Sequence, residues 1–289
     1  MTRKSFNDIY ENVPSDQKDR LQTFRSTHPY TTLDREDVTW EYISCGKGEE
    51  PLVLLPGGIR FAETWFQLIT ILENEYSIIS PTYPPLPTMA DMTEGIFHIL
   101  TSESSKKVHL LGTSFGGWVA QCFVRHYPDK VQSLILSHTS GPSGISKNLV
   151  RFGQVVTDLC PLQLIRSSFR QRLMNLLSIP DSDHQFWKAF LTEVSLRMTK
   201  DDIKAQQACT VDFVTNYAPS QDGSVMWPGR ILIIESDDDP AFKNPVRENL
   251  KTLYPRAQVH TFHNSGHTPG YSNPQEYAKV IKDFLNEFG

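Results

Sequence analysis

Apolar and polar positions alternate with two different periods along most of the chain. Residues 38–43 alternate every second residue, which predicts a half-buried strand, and the apolar run at 51–56 predicts a strand buried on both faces. Further strands are predicted at 76–80, 108–111, 131–137, 230–234 and 258–262, and helices at 62–73, 89–102, 118–127, 243–254 and 274–288. This order predicts an α/β fold with a mostly parallel sheet and helices on both faces.

The alternation stops in the middle of the chain. Residues 143–228 show helical patterns without a convincing strand, so we interpret them as a helical cap, or lid, inserted into a core formed by 36–142 and 229–289. The first segment, 1–35, is polar and mixed in charge. It predicts a surface helix or arm, with partial disorder as the alternative, and ordered strands are expected to begin near Asp37.

Composition narrows the class of protein. With 289 residues, 39% hydrophobic side chains and a net charge of −5, the chain is globular and offers nucleic acid no basic surface. No apolar stretch is long enough for a membrane span, and the polar N-terminus is unlike a signal peptide. The four cysteines form no C-x-x-C pair, so neither a metal cluster nor a disulfide framework is expected. We expect a reduced cytoplasmic protein without a metal or an organic cofactor.

The clearest chemical signal is the sequence Gly112-Thr-Ser-Phe-Gly-Gly117. It matches G-x-S-x-G between a predicted strand and a predicted helix, the context in which a sharp turn presents a nucleophilic serine. Gly112 and Gly116 are needed because side chains two residues away from the serine would collide in that turn. Ser114 is therefore the candidate nucleophile, and the alternative is a glycine-rich turn with an incidental serine.

A serine hydroxyl needs a base, and the base needs an acid to orient it. His267 follows the last predicted strand, so it is expected at the same edge of the sheet as Ser114. Three aspartates follow the preceding strand, namely Asp237, Asp238 and Asp239. Asp238 is our choice of acid because four residues beyond the strand suffice to leave the sheet and turn toward the histidine.

Two backbone N–H groups are expected to bind the oxyanion of a tetrahedral intermediate. One belongs to Phe115, directly after the nucleophile, and the other to Gly58, in the loop after the strand at 51–55. A pocket between the sheet edge and the cap is expected to use aromatic side chains, with core burial as the alternative for the two tryptophans. The candidates for substrate contacts are Phe61, Trp65, Trp187 and His138.

These motifs together resemble the α/β-hydrolase superfamily over most of the chain. The resemblance rests on Leu54-Leu-Pro-Gly-Gly58, on 108–117, on 131–136 and on Gly266-His267. The chain order Ser114, Asp238, His267 is also the order of that superfamily. Within it, the chain resembles the maspardin-like branch, on residues 76–84, 108–112, Cys160-Pro161 and 253–257.

The closer resemblance changes the functional expectation. It implies a binding protein without clear hydrolase activity, because maspardin is regarded as lacking the catalytic histidine. His267 is present here, so this chain departs from that pattern in the direction of an active enzyme.

The residues predict a serine hydrolase that cleaves a small carboxylic ester or thioester through an acyl-enzyme. A serine in place of an aspartate nucleophile argues against epoxide and haloalkane hydrolysis. Two alternatives stay open: a non-catalytic binding or adaptor protein on the same scaffold, and a triad enzyme with another reaction, such as C–C hydrolysis, a lyase reaction or acyl transfer. The expected partner is the small-molecule substrate. Neither nucleic-acid binding nor a membrane span is expected, and a homodimer is an open alternative.

Overall fold

A computed structural model describes residues 5–218 and 227–287 of the chain. Its eight strands are β1 Thr31–Arg35, β2 Val38–Cys45, β3 Pro51–Leu55, β4 Ser77–Thr82, β5 Val108–Thr113, β6 Val131–Ser137, β7 Arg230–Ser236 and β8 Gln258–Phe262. They form one sheet in the order β1-β2-β4-β3-β5-β6-β7-β8. The pairs β1–β2 and β2–β4 are antiparallel and the other five are parallel. The predicted α/β fold with a mostly parallel sheet is therefore confirmed.

Helices pack against the sheet and extend from it. They are α1 Phe6–Ile9, α2 Ser15–Thr27, α3 Phe66–Leu72, α4 Met89–Ser102, α5 Phe115–His126, α6 Lys147–Leu159, α7 Leu162–Leu176, α8 Asp181–Arg197, α9 Lys200–Asn216, α10 Asn244–Leu253, α11 Pro269–Ser272 and α12 Pro274–Asn286. Short 3-10 turns lie at Ala62–Trp65, Pro128–Lys130 and Pro142–Gly144.

Strand β3 is buried on both faces, as its apolar run predicts. Leu52 and Leu54 belong to one apolar cluster, while Val53 and Leu55 belong to a second. Successive side chains of a strand point to opposite faces, so the two clusters lie on the two sides of the sheet. This double burial explains why the central strands lack polar alternation.

The N-terminal segment, predicted as a surface helix or arm, contains helices α1 and α2 and strand β1. Strand β1 pairs with β2, so ordered strands begin at Thr31 rather than near Asp37. Three side chains of this segment, Tyr10, Leu21 and Phe24, are buried in the core. Their burial attaches helices α1 and α2 to the rest of the molecule. The pattern did not predict β1 because an edge strand is held by backbone hydrogen bonds on one side and needs few apolar side chains.

The chain between β6 and β7 forms helices α6 to α9, in the segment interpreted as a cap. Residues 219–226 of that segment lie outside the described residues. Helix α8 packs its apolar face inward, with Trp187 and Phe190 both fully buried. In the two ranges that the structure describes, each helix is too short or too polar to cross a lipid bilayer.

Candidate active site

Ser114 occupies the sharp turn between β5 and α5. Its backbone has φ 52° and ψ −117°, a left-handed conformation that is strained for a residue with a Cβ. Three hydrogen bonds hold the turn: the Ser114 N–H donates to Ser137 O at 3.0 Å, and the Ser114 carbonyl accepts from Gly117 N at 3.0 Å and from Thr139 Oγ1 at 2.8 Å. The serine side chain thus stands at the N-terminus of α5.

Two glycines make this turn sterically possible. A Cβ on Gly112 would collide with the carbonyl oxygen of Gly116, and a Cβ on Gly116 would collide with the carbonyl oxygens of Leu55 and Pro56. The backbone of α5 therefore approaches β3 more closely than any side chain allows. Both collisions agree with the packing expected from the motif.

His267 lies at the same edge of the sheet and is paired with a carboxylate. Its Nδ1 lies 2.9 Å from Oδ2 and 3.1 Å from Oδ1 of Asp239, and both side chains are buried. Burial alone would raise the pKa of Asp239, but the hydrogen bond and charge of His267 outweigh it and lower that pKa below its usual value. An ionised Asp239 makes Nδ1 the donor nitrogen, so that Nε2 is left to accept a proton.

The choice of Asp238 as the acid that orients His267 is wrong, because Asp239 holds that position. The Asp238 carboxylate accepts hydrogen bonds from the backbone N–H groups of Ser265 at 3.1 Å and Gly266 at 3.0 Å. It therefore shapes the loop that carries His267 without touching the ring. The physical reason is that β7 continues to Ser236, two residues beyond its predicted end, so the turn starts later.

The remaining aspartate, Asp237, forms exposed hydrogen bonds with the loop after β8. The Asp237 carboxylate accepts a hydrogen bond from His263 Nδ1 at 2.6 Å and another from the backbone N–H of Asn264 at 3.2 Å. The hydrogen bond with His263 lowers the pKa of Asp237 below its ordinary value. Each of the three consecutive aspartates thus has its own partner on the loop after β8.

The two predicted oxyanion donors lie on the residue after Ser114 and on the loop after β3. Phe115 is the first residue of α5, and the first four N–H groups of a helix have no acceptor within it. A Cβ on Gly57 would lie 3.4 Å from the Ser114 Cβ, so the loop that carries Gly58 runs alongside the serine. The side-chain amide of Gln206, on α9, lies 2.8 Å from where a Gly58 Cβ would be. Gln206 therefore faces the site from the cap, a contact between distant segments that the sequence did not reveal.

His138 lies beneath His267. Its Nδ1 is 2.9 Å from Ser137 Oγ, its Nε2 is 2.8 Å from Ser236 Oγ, and its ring centroid is 5.9 Å from that of His267. Burial, followed by the nearby His267, lowers the pKa of His138 to about 3, so the ring is neutral. Both ring nitrogens are thus engaged and the ring is buried against His267, while the predicted substrate contact of His138 stays a prediction.

The two candidate tryptophans are core residues in this structure. Trp65 is 3% exposed and Trp187 is fully buried, and they stack on Tyr277 and Tyr271 at centroid distances of 6.5 and 4.4 Å. Phe61 is also buried, with the guanidinium of Arg197 4.0 Å from its ring centroid. These placements favour the core alternative for the tryptophans over a direct substrate contact.

Two further contacts tie the cap to the loops of the site. Buried Arg60, two residues after Gly58, forms a 3.0 Å salt bridge with Asp202 of α9 and donates to the Tyr83 carbonyl oxygen at 2.6 Å. The His267 N–H donates to the carbonyl oxygen of Leu176, at the end of α7, at 3.2 Å. The only sequence signal for the first contact was a charged residue between the apolar Ile59 and Phe61.

A group of residues with metal-ligand chemistry lies away from this edge. Among the described residues, His28, Cys45 and Glu73 are the one set whose ligand atoms all lie within 4.8 Å of one another. Cys45 ends β2, which is antiparallel to β4, and Glu73 precedes β4. The set therefore lies at the opposite edge of the sheet from Ser114.

Comparison with known proteins places these residues in a family. The model of the alpha/beta hydrolase family matches residues 52–280, a range that includes Ser114, Asp239 and His267. Maspardin from Danio rerio is 31% identical over 295 residues, covering 92% of this chain and 85% of its own length.

Other similar proteins are named as hydrolases of specific compounds. A 2-hydroxy-6-oxononadienedioate/2-hydroxy-6-oxononatrienedioate hydrolase from Dechloromonas aromatica is 24% identical over 277 residues, covering 86% of this chain and 91% of its own. The structure of a meta-cleavage product hydrolase from Pseudomonas fluorescens superposes with a TM-score of 0.72 at 19% identity, covering 90% of this chain and 98% of that one. The chain belongs to the alpha/beta hydrolase family, in its maspardin-like branch.

Proposed function

We propose that the chain is a serine hydrolase that cleaves a carboxylic ester or thioester through an acyl-enzyme. The proposal is carried by the buried 2.9 Å hydrogen bond between His267 Nδ1 and Asp239 Oδ2, at the edge where Ser114 occupies a strained turn. A histidine held at Nδ1 by a carboxylate presents Nε2 as a base. A merely structural His–Asp pair would not need a left-handed serine between two close-packed glycines.

The reaction follows from these groups. Ser114 Oγ attacks the carbonyl carbon while His267 Nε2 accepts the hydroxyl proton, and Asp239 stabilises the imidazolium that forms. The N–H groups of Phe115 and Gly58 donate to the oxyanion, next to the positive end of α5. His267 then gives its proton to the leaving oxygen or sulfur as the C–O or C–S bond breaks. Water, deprotonated by the same nitrogen, releases the acid and restores Ser114.

A second reaction, hydrolysis of a C–C bond next to a carbonyl, is favoured by the relatives from Dechloromonas aromatica and Pseudomonas fluorescens. Their names give a 2-hydroxy-6-oxononadienedioate/2-hydroxy-6-oxononatrienedioate hydrolase and a meta-cleavage product hydrolase. The same serine, histidine and aspartate serve this reaction when the leaving group is a stabilised carbanion. The arrangement of the core is common to both reactions, so the cap decides between them.

The experiment is labelling with a fluorophosphonate, which phosphonylates an activated serine. We expect the wild-type protein to be labelled on Ser114, and Ser114→Ala to be unlabelled. Ser143→Ala is the matched control, because Ser143 is an exposed serine that donates to Asn249 at 2.6 Å and is expected to leave labelling unchanged. A folded wild-type protein that takes up no probe would overturn the proposal in favour of a binding protein.

The reaction class is then separated with a panel of substrates. Turnover of 4-nitrophenyl esters or acyl thioesters with negligible turnover of β-diketones supports the proposal. The reverse preference identifies a C–C hydrolase with the same nucleophile, and labelling without turnover of either class points to another acyl acceptor. In each case kcat/KM is the quantity that compares the substrates.

A further inference from the structure

Helix α6 turns its apolar face away from the protein. Leu149, Phe152, Val155, Val156 and Leu159 are 69%, 66%, 54%, 39% and 80% exposed. Their spacing of three and four residues places them on one side of the helix, and we call these five residues the α6 stripe. At 1.5 Å per residue the stripe is about 15 Å long. Contiguous exposed apolar surface of this kind marks an interaction site.

The orientation of the helix is fixed by polar contacts on its other side. The hydroxyl of Thr157, which is buried, accepts from Gln207 Nε2 of α9 at 3.0 Å. Asp158 forms a 2.8 Å salt bridge with Lys204, and its carbonyl oxygen accepts from Lys200 Nζ at 2.8 Å. These bonds hold the polar face of α6 against α9. The α6 stripe, on the other side of the helix, therefore faces away from α9.

The segment that forms helices α6 and α7 is basic although the whole chain is acidic. The segment 147–176 contains five basic residues, Lys147, Arg151, Arg166, Arg170 and Arg172, and one acidic residue, Asp158, whereas the chain carries a net charge of −5. Asp158 is already paired with Lys204. Arg151 and Arg172 are exposed, and so is Leu164 on α7, at 62%. Helix α6 itself therefore carries its apolar stripe together with Lys147 and Arg151, while its one carboxylate, Asp158, is paired.

We propose that α6, with its own Lys147 and Arg151, docks on the surface of an anionic lipid bilayer. A helix with an apolar face and Lys or Arg beside it lies in the plane of the interface, with the apolar side chains among the acyl chains and the cations at the headgroups. A second copy of this chain fits less well, because a two-fold interface would set the same basic surface against itself. The helix lies on the membrane and does not span it.

The experiment is co-sedimentation of the full chain with vesicles of phosphatidylcholine alone or with about 30% phosphatidylserine. We expect binding to the anionic vesicles, weakened in about 1 M salt because the headgroup attraction is screened. Phe152→Ser and Leu159→Ser are each expected to lower the partition coefficient about tenfold. Arg151→Glu is expected to lower binding to anionic vesicles while leaving the residual affinity for neutral ones unchanged.

The matched control is Val259→Ser on β8, which removes a 45% exposed valine far from α6 in the sequence and is expected to bind like wild type. Absence of binding to anionic vesicles, or equal binding by Phe152→Ser and wild type, would overturn the proposal. So would a wild-type dimer in light scattering that Phe152→Ser dissociates, because the stripe would then be occupied by a second copy. Ser114→Ala is expected to bind vesicles normally, so failure of docking and failure of the proposed hydrolysis are distinguished.

Discussion

The edge of the sheet around Ser114 and the outer face of the cap differ in what fixes their side chains. At the edge, His267 is held by Asp239 at 2.9 Å and His138 by Ser236 at 2.8 Å, and all of these residues are buried. On α6, Phe152 is 66% exposed. Buried hydrogen bonds at the ends of strands fix the position and orientation of these polar side chains. The outer cap is free of that constraint, so its surface is available for contacts with other molecules.

The largest effect is expected from a comparison of two variants that tests which aspartate orients His267. Asp239→Asn removes the charge that orients His267 and stabilises its charged form, and we expect kcat toward a 4-nitrophenyl ester to fall by about 10⁴-fold. Asp238→Asn keeps an oxygen that accepts from Ser265 and Gly266, so its loss is expected to stay within about tenfold. Equal losses of kcat in the two variants would contradict the assignment of Asp239, and not Asp238, as the residue that orients His267.

The second prediction compares the same side chain on two sides of the cap. Phe190→Ala on α8 removes a fully buried ring and is expected to lower the free energy of unfolding by about 3–5 kcal/mol. Phe152→Ala on α6 removes an exposed ring and is expected to change it by less than about 0.5 kcal/mol. Urea unfolding measures both. A large cost for Phe152→Ala would show that the stripe is covered within the protein.

The third prediction concerns the pH dependence of stability at the edge of the sheet. The pKa of His138 is about 3 in the folded protein and near 6.5 when unfolded, so the unfolded chain binds the proton more tightly. The contribution of His138 is therefore complete above pH 6.5 and is lost as pH falls toward 3. Between pH 8 and pH 5 we expect a loss of about 2 kcal/mol in unfolding free energy.

His138→Asn is the variant that isolates this contribution. Asparagine tolerates the positive φ of 44° at this position and does not titrate in this range. Its unfolding free energy is expected to vary less between pH 8 and pH 5 than that of the wild type, by about the same 2 kcal/mol. An unchanged pH dependence would contradict the neutral, buried state of the ring.

The sequence determined most of the sheet because buried parallel strands require apolar runs. Strands β3 and β6 begin and end within a residue of their predicted bounds. Strand β1 was not predicted because Thr31–Arg35 is polar and forms the outermost strand of the sheet, where pairing depends on backbone geometry. Apolar pattern therefore predicts interior elements better than edge elements.

The site was predictable where a motif fixes local geometry and unpredictable where it depends on packing between segments. Ser114 and its glycines follow from the turn, whereas the choice between Asp238 and Asp239 depends on where β7 ends. Gln206 lies near Gly58, and Arg60 pairs with Asp202, because α9 docks over the loop after β3. This tertiary contact has no sequence signature. An error of one or two residues in the predicted end of β7 therefore decides whether Asp238 or Asp239 is expected to orient His267.

The most direct test of the central claim is a double-mutant cycle read as the rate constant for fluorophosphonate labelling of Ser114. The variants are His267→Ala, Asp239→Asn and their combination. If Asp239 acts through His267, both single variants are labelled far more slowly than wild type, and the double variant is slower than His267→Ala by less than about threefold. If instead the two losses multiply, the aspartate acts independently of the histidine, and the claim that these side chains work as one unit with Ser114 is contradicted.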